Sequence, residues 1–393
     1  MGLCCSGHGA VMSETAFVFE GNAYIGKGSH SKVFRAKHKA SGDVVAIKMI
    51  VKDAARHEWQ HEVSVMKMLD VHPNVIELKG TYETDEFVCV VMEYASGGEL
   101  FQLLIRDGAY SEEIARKFTR DTLLALEFLH NQGIVHGDLK PENLLVTSKH
   151  AQKARVKLAD FSMSAIISAK RLVDKDGLTW AYCAPEVLGA ADDDAPYAAN
   201  SKRDMWSVGV ILYIMLSAMH PFDPNGRYSK EAIVAGILTF QMVNLETMGW
   251  GDVSADAKDL IRRLLCRDPT KRLSAKEALQ HPWFAHESAP TLPLQCSLRG
   301  GLNVYVRSMH ARFRTSVVVA IAARRFSSLH KKADDTSTLI KPEDVVVTHQ
   351  AVIRQETMEP IHEPNSSQNR ETTPPPSPDS AATSAATTPV PPP

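Results

Sequence analysis

The chain has 393 residues, 44% of them hydrophobic and 23% charged, which is enough for a large folded domain with flanking segments. Its formal net charge of −2 gives no electrostatic reason to expect a nucleic-acid partner. The six cysteines are scattered, apart from the adjacent Cys4 and Cys5, which favours a reducing compartment over a disulfide framework. Met1–Ala10 has neither the basic start nor the apolar run of a secretory signal, and every apolar stretch is far shorter than the roughly 20 residues of a membrane-spanning helix.

Composition divides the chain into four regions. Residues 1–16 are small and polar, and residues 17–285 carry dense apolar periodicity with few prolines. Residues 286–335 form a basic amphipathic segment, and residues 336–393 become rich in proline, serine and threonine. Because such a tail cannot bury enough apolar surface to fold, we predict one folded domain over 17–285 and a disordered tail.

The elements of the predicted domain change in type along the chain. Runs of β-branched and aromatic residues between glycine turns predict strands, and apolar residues recur at helical spacing around Glu62 and again from Glu112 onward. We therefore expect an α+β domain with a small sheet-rich part followed by a larger helical part. The predicted strands are Phe19–Ile25, Lys32–Lys37, Val44–Ile50, Phe87–Met92 and Val156–Leu158.

Two features of the first strands are typical of a phosphate site. Glycines in Gly26-Lys-Gly28-Ser-His-Ser31 let a backbone approach phosphate oxygens, although the same pattern also fits an ordinary hairpin turn. Lys48, in Val45-Ala46-Ile47-Lys48, lies on an otherwise apolar strand, where its ammonium needs an anionic partner or an exit to solvent. We expect Glu62 to be that partner, with Glu58, one turn earlier, as the alternative.

A polar run at residues 136–143 places three chemically distinct groups at fixed offsets. The sequence is His136-Gly-Asp-Leu-Lys-Pro-Glu-Asn143. Phosphoryl transfer needs a carboxylate to orient the incoming hydroxyl, a cation to neutralise the moving group and oxygen ligands for magnesium. We assign these roles to Asp138, Lys140 and Asn143 respectively.

Further motifs follow in order. Asp160-Phe161-Ser162 comes after a strand signal and supplies a second candidate magnesium ligand in Asp160. Glu186, in Ala184-Pro185-Glu186, is expected to form a buried ion pair with Arg272. The segment Asp204–Gly209 begins a very apolar helix.

Together these motifs resemble the eukaryotic protein kinases over about residues 17–285. The Asp-Leu-Lys-Pro-Glu-Asn run around Lys140 is similar to the serine/threonine branch. The run Gly97–Phe101, the run His281–Phe284 and the basic segment after the domain are similar to the calcium/calmodulin-dependent kinase group. The resemblance implies the two-lobed protein kinase fold, with a small antiparallel-sheet lobe and a larger helical lobe. It also implies transfer of the γ-phosphate of ATP, with Mg2+, to serine or threonine residues of protein substrates.

The resemblance implies further site residues, position by position. Glu99 and Glu142 match carboxylates that bind a basic residue upstream of the target, and Thr179 matches a threonine that contacts the catalytic loop. Met92 matches the gatekeeper of the adenine pocket. The residues matched to ATP binding are Ile25, Gly26, Gly28, Val33, Ala46, Lys48, Met92, Glu93, Ala95 and Leu145.

Three positions depart from the family pattern. Gly137 replaces an arginine that normally pairs with a phosphate on the activation loop, so we expect activity to be independent of loop phosphorylation, for instance at Ser168. Ser162 and Leu178 each replace a glycine, and Ser162 is expected to cost about 1–2 kcal/mol if it takes the backbone angles of glycine. The alternative to an enzyme is a non-catalytic scaffold with the same fold.

The first residues match a lipidation pattern. Met1-Gly2-Leu-Cys4-Cys5-Ser6 fits N-myristoylation at Gly2, and Cys4 and Cys5 are placed to carry palmitate, the second signal that stable membrane binding requires. We therefore expect the protein at the cytoplasmic face of a membrane, with a cytoplasmic pool.

Residues 299–332 carry eight basic residues and no acidic one. Apolar residues recur among them at three-to-four spacing, which predicts a basic amphipathic helix with Phe313 and Phe326 as bulky anchors. The resemblance implies an autoinhibitory segment that calcium–calmodulin removes. A membrane-surface helix and a helix docked permanently on the large lobe remain alternatives.

Overall fold

The computed structural model describes residues 10–11, 14–19, 21, 23–27, 31–52, 58–107, 111–167, 179–189, 200–224, 226–242, 244–246 and 250–285. All of the described residues belong to one compact unit.

A twisted sheet and one helix form the small lobe. Its strands are β1 (Ala10–Val11), β2 (Phe17–Val18), β3 (Tyr24–Lys27), β4 (Ser31–His38), β5 (Val44–Val51), β6 (Leu78–Glu83) and β7 (Phe87–Glu93). Among the described residues their order is β1-β6-β7-β5-β4-β2, with β3 also paired to β4. All pairings are antiparallel except that of β1 with β6.

The prediction of one strand over Phe19–Ile25 is wrong. The structure has β2 before this range and β3 at its end, with Gly21 between them at a φ of 55°. A positive φ is favourable for glycine because it lacks a Cβ, and this conformation breaks the extended backbone. The other strand predictions for this lobe, Lys32–Lys37, Val44–Ile50 and Phe87–Met92, each fall within an observed strand.

Helix α1 (Glu58–Met68) contributes apolar side chains to the same hydrophobic core as strands β5, β6 and β7. Val63, Val65 and Met66 are buried in the main hydrophobic core, and the spacing of Val63 and Met66 is that of one helix face. Glu62 precedes this run and is itself 3% exposed, so its carboxylate is directed into the protein rather than to solvent.

Helices form most of the large lobe. They are α2 (Leu100–Asp107), α3 (Glu112–Asn131), α4 (Pro185–Leu188), α5 (Lys202–Ser217), α6 (Lys230–Thr239), α7 (Ala255–Leu264) and α8 (Ala275–Leu279). Serine side chains cap the starts of α3, α6, α7 and α8 by accepting a backbone N–H from the first turn. Helix α5 is the centre of the lobe because every residue from Arg203 to Ser217 is buried.

Five short strands frame the loops that carry polar motifs. They are β8 (Gly98–Glu99), β9 (Ile134–Val135), β10 (Leu144–Val146), β11 (Val156–Leu158) and β12 (Ala165–Ile166). Residues 136–143, called the catalytic loop below, join β9 to β10, and Asp160 lies between β11 and β12. The predicted α+β class with a two-lobed architecture is thus confirmed. Within the described part of the chain, no helix has both the length and the apolar character needed to span a membrane.

Candidate active site

Lys48 joins the two lobes through two carboxylates. Its Nζ donates to both oxygens of Glu62, at 2.7 and 2.9 Å, and to Oδ1 of Asp160 at 3.2 Å. Burial alone would lower the pKa of Lys48, but the charges of Asp160 and Glu62 outweigh burial and raise it. Burial would likewise raise the pKa of Asp160, but Lys48 and Lys140 hold it below its usual value. The lysine and Asp160 are therefore charged at neutral pH.

Several residues matched to nucleotide binding lie on one face of the small-lobe sheet. Ala46 and Lys48 are two residues apart on β5, so their side chains share a face. Ala46 lies opposite Met92 on β7, and Lys48 lies opposite Val33 on β4. Because directly opposite residues in an antiparallel pair point to the same side, these four side chains form one surface. Gly26 pairs with Val33 and extends this surface toward β3.

The remaining residues matched to nucleotide binding differ in exposure. Ile25 is 44% exposed and Leu145 is half-buried on β10, whereas Ala95 is buried after the end of β7. The carboxylate of Glu93 forms an ion pair with Lys157 at 2.7 Å, so only its backbone is available to a nucleotide. Gly28 lies outside the described residues.

The catalytic loop brings Asp138, Lys140 and Thr179 together. Lys140 Nζ donates to Oδ2 of Asp138 and, at 3.2 Å, to Oγ1 of Thr179. Burial lowers the pKa of Lys140, but the nearby Asp138 carboxylate outweighs that effect and raises it. Asp138 is 8% exposed, so its carboxylate lies in a largely desolvated site where its interactions are stronger than in water.

Asp204, the third residue of α5, holds the start of this loop. Its two carboxylate oxygens accept the backbone N–H groups of His136 and Gly137, each at 2.9 Å, and the side chain of His130 lies 2.9 Å from Oδ2. Burial opposes ionisation of Asp204, but His130 and the backbone donors outweigh burial and lower its pKa. The carboxylate therefore fixes two consecutive peptide groups directly before Asp138.

The expected backbone strain does not lie at Ser162. Among the described non-glycine residues with positive φ, the motif contributes Asp160, at 66°, and Ser162 is not one of them. The Ser162 N–H points to Oδ1 of Asp160 at 3.4 Å. Serine is therefore compatible with this arrangement, and the uncommon conformation belongs to the residue that faces Lys48. Phe161 is fully buried and contacts His136 edge-on, with ring centroids 5.6 Å apart.

Glu99 and Glu142 lie on either side of β10. Glu99 is opposite Leu145 in the pairing of β8 with β10, and Glu142 belongs to the short helical turn that immediately precedes β10. Oε2 of Glu142 is buried and accepts no hydrogen bond from the described residues. A buried acceptor that receives no hydrogen bond lowers stability by about 1–3 kcal/mol. This carboxylate oxygen therefore favours a cationic ligand that can donate to it.

The expected ion pair between Glu186 and Arg272 is present. Nη1 and Nη2 of Arg272 donate to the two carboxylate oxygens of Glu186 at 2.7 and 2.9 Å. The guanidinium also donates to the carbonyl oxygens of Cys266 and Lys202. The Arg272 side chain is fully buried, so this bidentate pair fixes the segment that follows Thr179 against the rest of the large lobe.

Asn143 and Asp160 are suited to a hard divalent cation. Nδ2 of Asn143 donates 2.8 Å to the Asp138 carbonyl, which orients the amide and leaves its oxygen as a ligand. Asp160 is ionised, and its side chain is 37% exposed, so it is accessible from the cleft. No group of three or more His, Cys, Asp or Glu side chains in the described ranges forms a metal site by itself. Phosphate oxygens and water would therefore complete the coordination of Mg2+.

Two positioning contacts were not expected from the sequence. His61, next to Glu62 on α1, lies 2.6 Å from the carbonyl oxygen of Ser164 through its Nε2. Arg203, next to Asp204, contacts the carbonyl of Gly137. In each case the available signal was a polar residue beside a motif residue, but the partner is distant in the sequence.

Several predicted features lie outside the described residues. They are Gly2, Cys4 and Cys5, the activation-loop positions Ser168 and Leu178, the basic segment 299–332 and the tail.

Comparison with known proteins identifies the family. A model of the protein kinase domain matches residues 19–284, so the chain belongs to the protein kinase family. Calcium/calmodulin-dependent protein kinase type IV of Mus musculus is 39% identical over 311 residues, which cover 79% of this chain and 63% of that protein. Calcium-dependent protein kinase 24 of Oryza sativa subsp. japonica is 37% identical over 286 residues, which cover 71% of this chain and 53% of that protein. Serine/threonine-protein kinase PKZ1 of Phytophthora infestans is 34% identical over 282 residues, covering 66% and 69%.

These relatives confirm the resemblance to the serine/threonine kinases of the calcium/calmodulin-dependent group. The chain spans less than two thirds of the length of the first two relatives described above.

Proposed function

We propose that the protein transfers the γ-phosphoryl group of ATP to serine or threonine hydroxyls of other proteins. The observation that carries this proposal is the Lys48 contact with both Glu62 and Asp160, beside an Asp138–Lys140 pair. These side chains come from both lobes and meet at one cleft, which is the arrangement that phosphoryl transfer requires. The names of the relatives, which are protein kinases, agree with it.

Asp138 and Lys140 act on the reacting groups. The Asp138 carboxylate orients the substrate hydroxyl and accepts its proton as the new phosphorus–oxygen bond forms. Lys140 places a positive charge beside the transferring group, and its contact with Thr179 links this charge to the segment that would bind the substrate. Lys48 neutralises the phosphates that remain on the nucleotide, and Glu62 holds the Lys48 ammonium in place.

The sheet face of Val33, Ala46 and Met92 supplies an apolar surface for the adenine ring. Asn143 and Asp160 would hold Mg2+, which supplies Lewis-acid neutralisation of the phosphate oxygens when bound. Both residues are fixed by the protein, Asn143 by the Asp138 carbonyl and Asp160 by Lys48.

The substrate class we propose is a peptide with a basic residue upstream of the accepting serine or threonine. Oε2 of Glu142, which accepts no hydrogen bond from the part of the chain that the structure describes, supports this preference, since a guanidinium would supply donors. Replacing the upstream arginine of a test peptide by alanine should raise KM at least tenfold in the wild type. In a Glu142→Gln variant the same replacement should have a smaller effect.

The test of the activity uses the full chain, radiolabelled ATP and an Arg-x-x-Ser peptide. Asp138→Asn keeps the size of the side chain but removes the base, so the rate should fall by about 10²–10⁴-fold while ATP affinity is kept. Transfer to serine and threonine peptides but not to a tyrosine peptide is the expected specificity. ATP binding without transfer by the wild type would support the alternative of a non-catalytic scaffold.

We further propose that activity does not depend on activation-loop phosphorylation, because Gly137 cannot contact a phosphate through a side chain. Phosphatase treatment should leave the rate within twofold. A loss of activity that maps to a loop residue such as Ser168 would contradict this proposal.

The basic segment 299–332 is proposed to inhibit the domain until calcium-loaded calmodulin binds it. The support is its charge and apolar spacing, together with the name of the type IV relative. A calcium-dependent gel shift of the 299–332 peptide with calmodulin is the expected result. Binding to anionic vesicles instead would favour a membrane-surface helix, and no binding to either would favour a helix docked on the large lobe.

Acylation of Gly2, with palmitate on Cys4 and Cys5, is proposed from the sequence pattern. It would place the protein at the cytoplasmic face of a membrane, with a cytoplasmic pool. Gly2→Ala should move the protein from the membrane fraction to the soluble fraction, and an unchanged distribution would contradict the proposal.

A further inference from the structure

Gly137, directly before Asp138, has no room for a side chain. Its φ is 82°, a conformation that favours glycine. A Cβ at this position would lie 2.5 Å from the carbonyl oxygen of Met163, well inside normal contact distance. An arginine, as in the family pattern, would therefore require the backbone of this loop or of Met163 to shift.

Arg203 brings a guanidinium to the same place from helix α5. Its Nη2 donates a hydrogen bond of 2.8 Å to the carbonyl oxygen of Gly137. Its guanidinium carbon lies 3.9 Å from the position that a Cβ of residue 137 would occupy. Arg203 is 4% exposed, and a buried cation is stable only where polar groups compensate its lost hydration.

Arg203 and Asp204 together hold the peptide groups before the catalytic aspartate. Asp204 accepts the N–H groups of His136 and Gly137, and Arg203 donates to the Gly137 carbonyl, which belongs to the peptide that joins Gly137 to Asp138. Glycine has more backbone freedom than any other residue, so a glycine here increases the need for such contacts.

We propose that Arg203 is a positioning residue for Asp138, acting through its hydrogen bond to the Gly137 carbonyl. The kinetic part of this inference rests on the proposed kinase function, whereas its structural part does not.

The experiment compares three variants of the full chain. Arg203→Met removes the donor and the charge but keeps much of the apolar stem. Arg203→Lys keeps the charge but loses the planar fork. Ser217→Ala is the matched control, since Ser217 is also buried on α5 and donates to a backbone carbonyl, that of Tyr213, at the opposite end of the helix.

Two readouts separate a positioning role from a structural one. Hydrogen exchange of the peptide covering residues 134–144 reports on the loop without requiring activity. Single-turnover phosphoryl transfer and the KM for ATP report on the chemistry.

For Arg203→Met we expect at least tenfold faster exchange in this peptide, a 10- to 100-fold slower transfer step and a KM for ATP within twofold of the wild-type value. Arg203→Lys should show smaller changes in the same direction, about two- to fivefold. Ser217→Ala should lower only the melting temperature.

Unchanged exchange of this peptide in Arg203→Met would overturn the proposal, even if the wild type proved inactive. A rise in the KM for ATP with a normal transfer step would overturn it as well. If Arg203→Met fails to fold, the test uses Arg203→Lys instead. Wild-type hydrogen exchange of residues 134–144 together with a wild-type transfer rate in Arg203→Lys would then overturn the proposal. Absence of transfer by the wild type would refute the proposed function alone, because the exchange experiment still tests the positioning role.

Discussion

The contact between Lys48 and Glu62 gives a prediction whose size follows from the structure. Glu62→Gln keeps the shape of the side chain but removes its charge, so the Lys48 ammonium keeps at most one of its two hydrogen bonds, of 2.7 and 2.9 Å, now to an amide oxygen. A hydrogen bond to a charged group contributes about 1.5–3 kcal/mol. The contact between Lys48 and residue 62 therefore loses about 1.5–3 kcal/mol, and kcat/KM should fall by about 10- to 150-fold.

The pH dependence of this effect also follows from the site. The pKa of Lys48 is raised and that of Asp160 is lowered, so both groups keep their charge around neutral pH. Burial raises the pKa of Glu62 above its usual value, although Lys48 opposes this. The ratio of the wild-type to the variant kcat/KM should therefore be constant at alkaline pH and fall as the pH is lowered, because a protonated Glu62 resembles glutamine. The assay is steady-state phosphorylation of an Arg-x-x-Ser peptide at several pH values, together with titration of nucleotide affinity.

The matched control is Glu58→Gln, which removes the same charge from the same helix one turn earlier. We expect it to retain at least half of the wild-type kcat/KM, because Glu62 is the α1 carboxylate that binds Lys48. A Glu62→Gln enzyme within threefold of the wild type would refute the reasoning. So would a Glu58→Gln enzyme that is impaired to the same extent.

Two predictions concern stability and reactivity. Glu186→Ala leaves the buried Arg272 guanidinium without its carboxylate, so the domain should lose about 3–5 kcal/mol of stability and its melting temperature should fall by about 6–20 °C. Lys271→Ala, which removes an exposed ion pair, should change the melting temperature by less than about 2 °C. Equal shifts of the two variants in calorimetry would contradict this prediction. Burial raises the pKa of the Cys183 thiol to about 12, so only roughly 10⁻⁴ of it is thiolate at pH 8. Iodoacetamide should therefore label the less buried Cys266 before Cys183, as measured by peptide mass spectrometry. Faster labelling of Cys183 in the folded protein would contradict this prediction.

Local patterns were sufficient for the elements that carry the site. The apolar run of β5 around Lys48 and the helical spacing of α1 both predict structure because apolar residues in these patterns are buried. The split of Phe19–Ile25 did have a signal in the sequence, because Glu20-Gly21-Asn22 interrupts the apolar residues and glycine beside asparagine favours a turn. The prediction of one strand gave this signal too little weight, and Gly21 takes a φ of 55° where the extended chain stops. Strand β1 has two residues and no periodicity, so its pairing with β6 left no pattern in the sequence.

Contacts between distant residues account for the rest. Arg203 and Gly137 are separated by 66 residues, and nothing in either local sequence shows that one donates to the other. The interpretation of Ser162 as a strained residue failed for a related reason. The family pattern shows which residue type is usual, but it does not show which backbone angle the motif takes in this chain. The positive φ at Asp160 depends on the surrounding packing, including its contact with Lys48.

The most direct test of the central claim is single-turnover transfer of radiolabelled phosphate from ATP to an Arg-x-x-Ser peptide by the full chain, measured with and without calcium–calmodulin. Asp138→Asn serves as the control. We predict transfer to the serine hydroxyl that falls by about 10²–10⁴-fold in Asp138→Asn, while nucleotide affinity stays within a few-fold. Nucleotide binding without transfer by the wild type under both conditions would contradict it, as would equal transfer by Asp138→Asn.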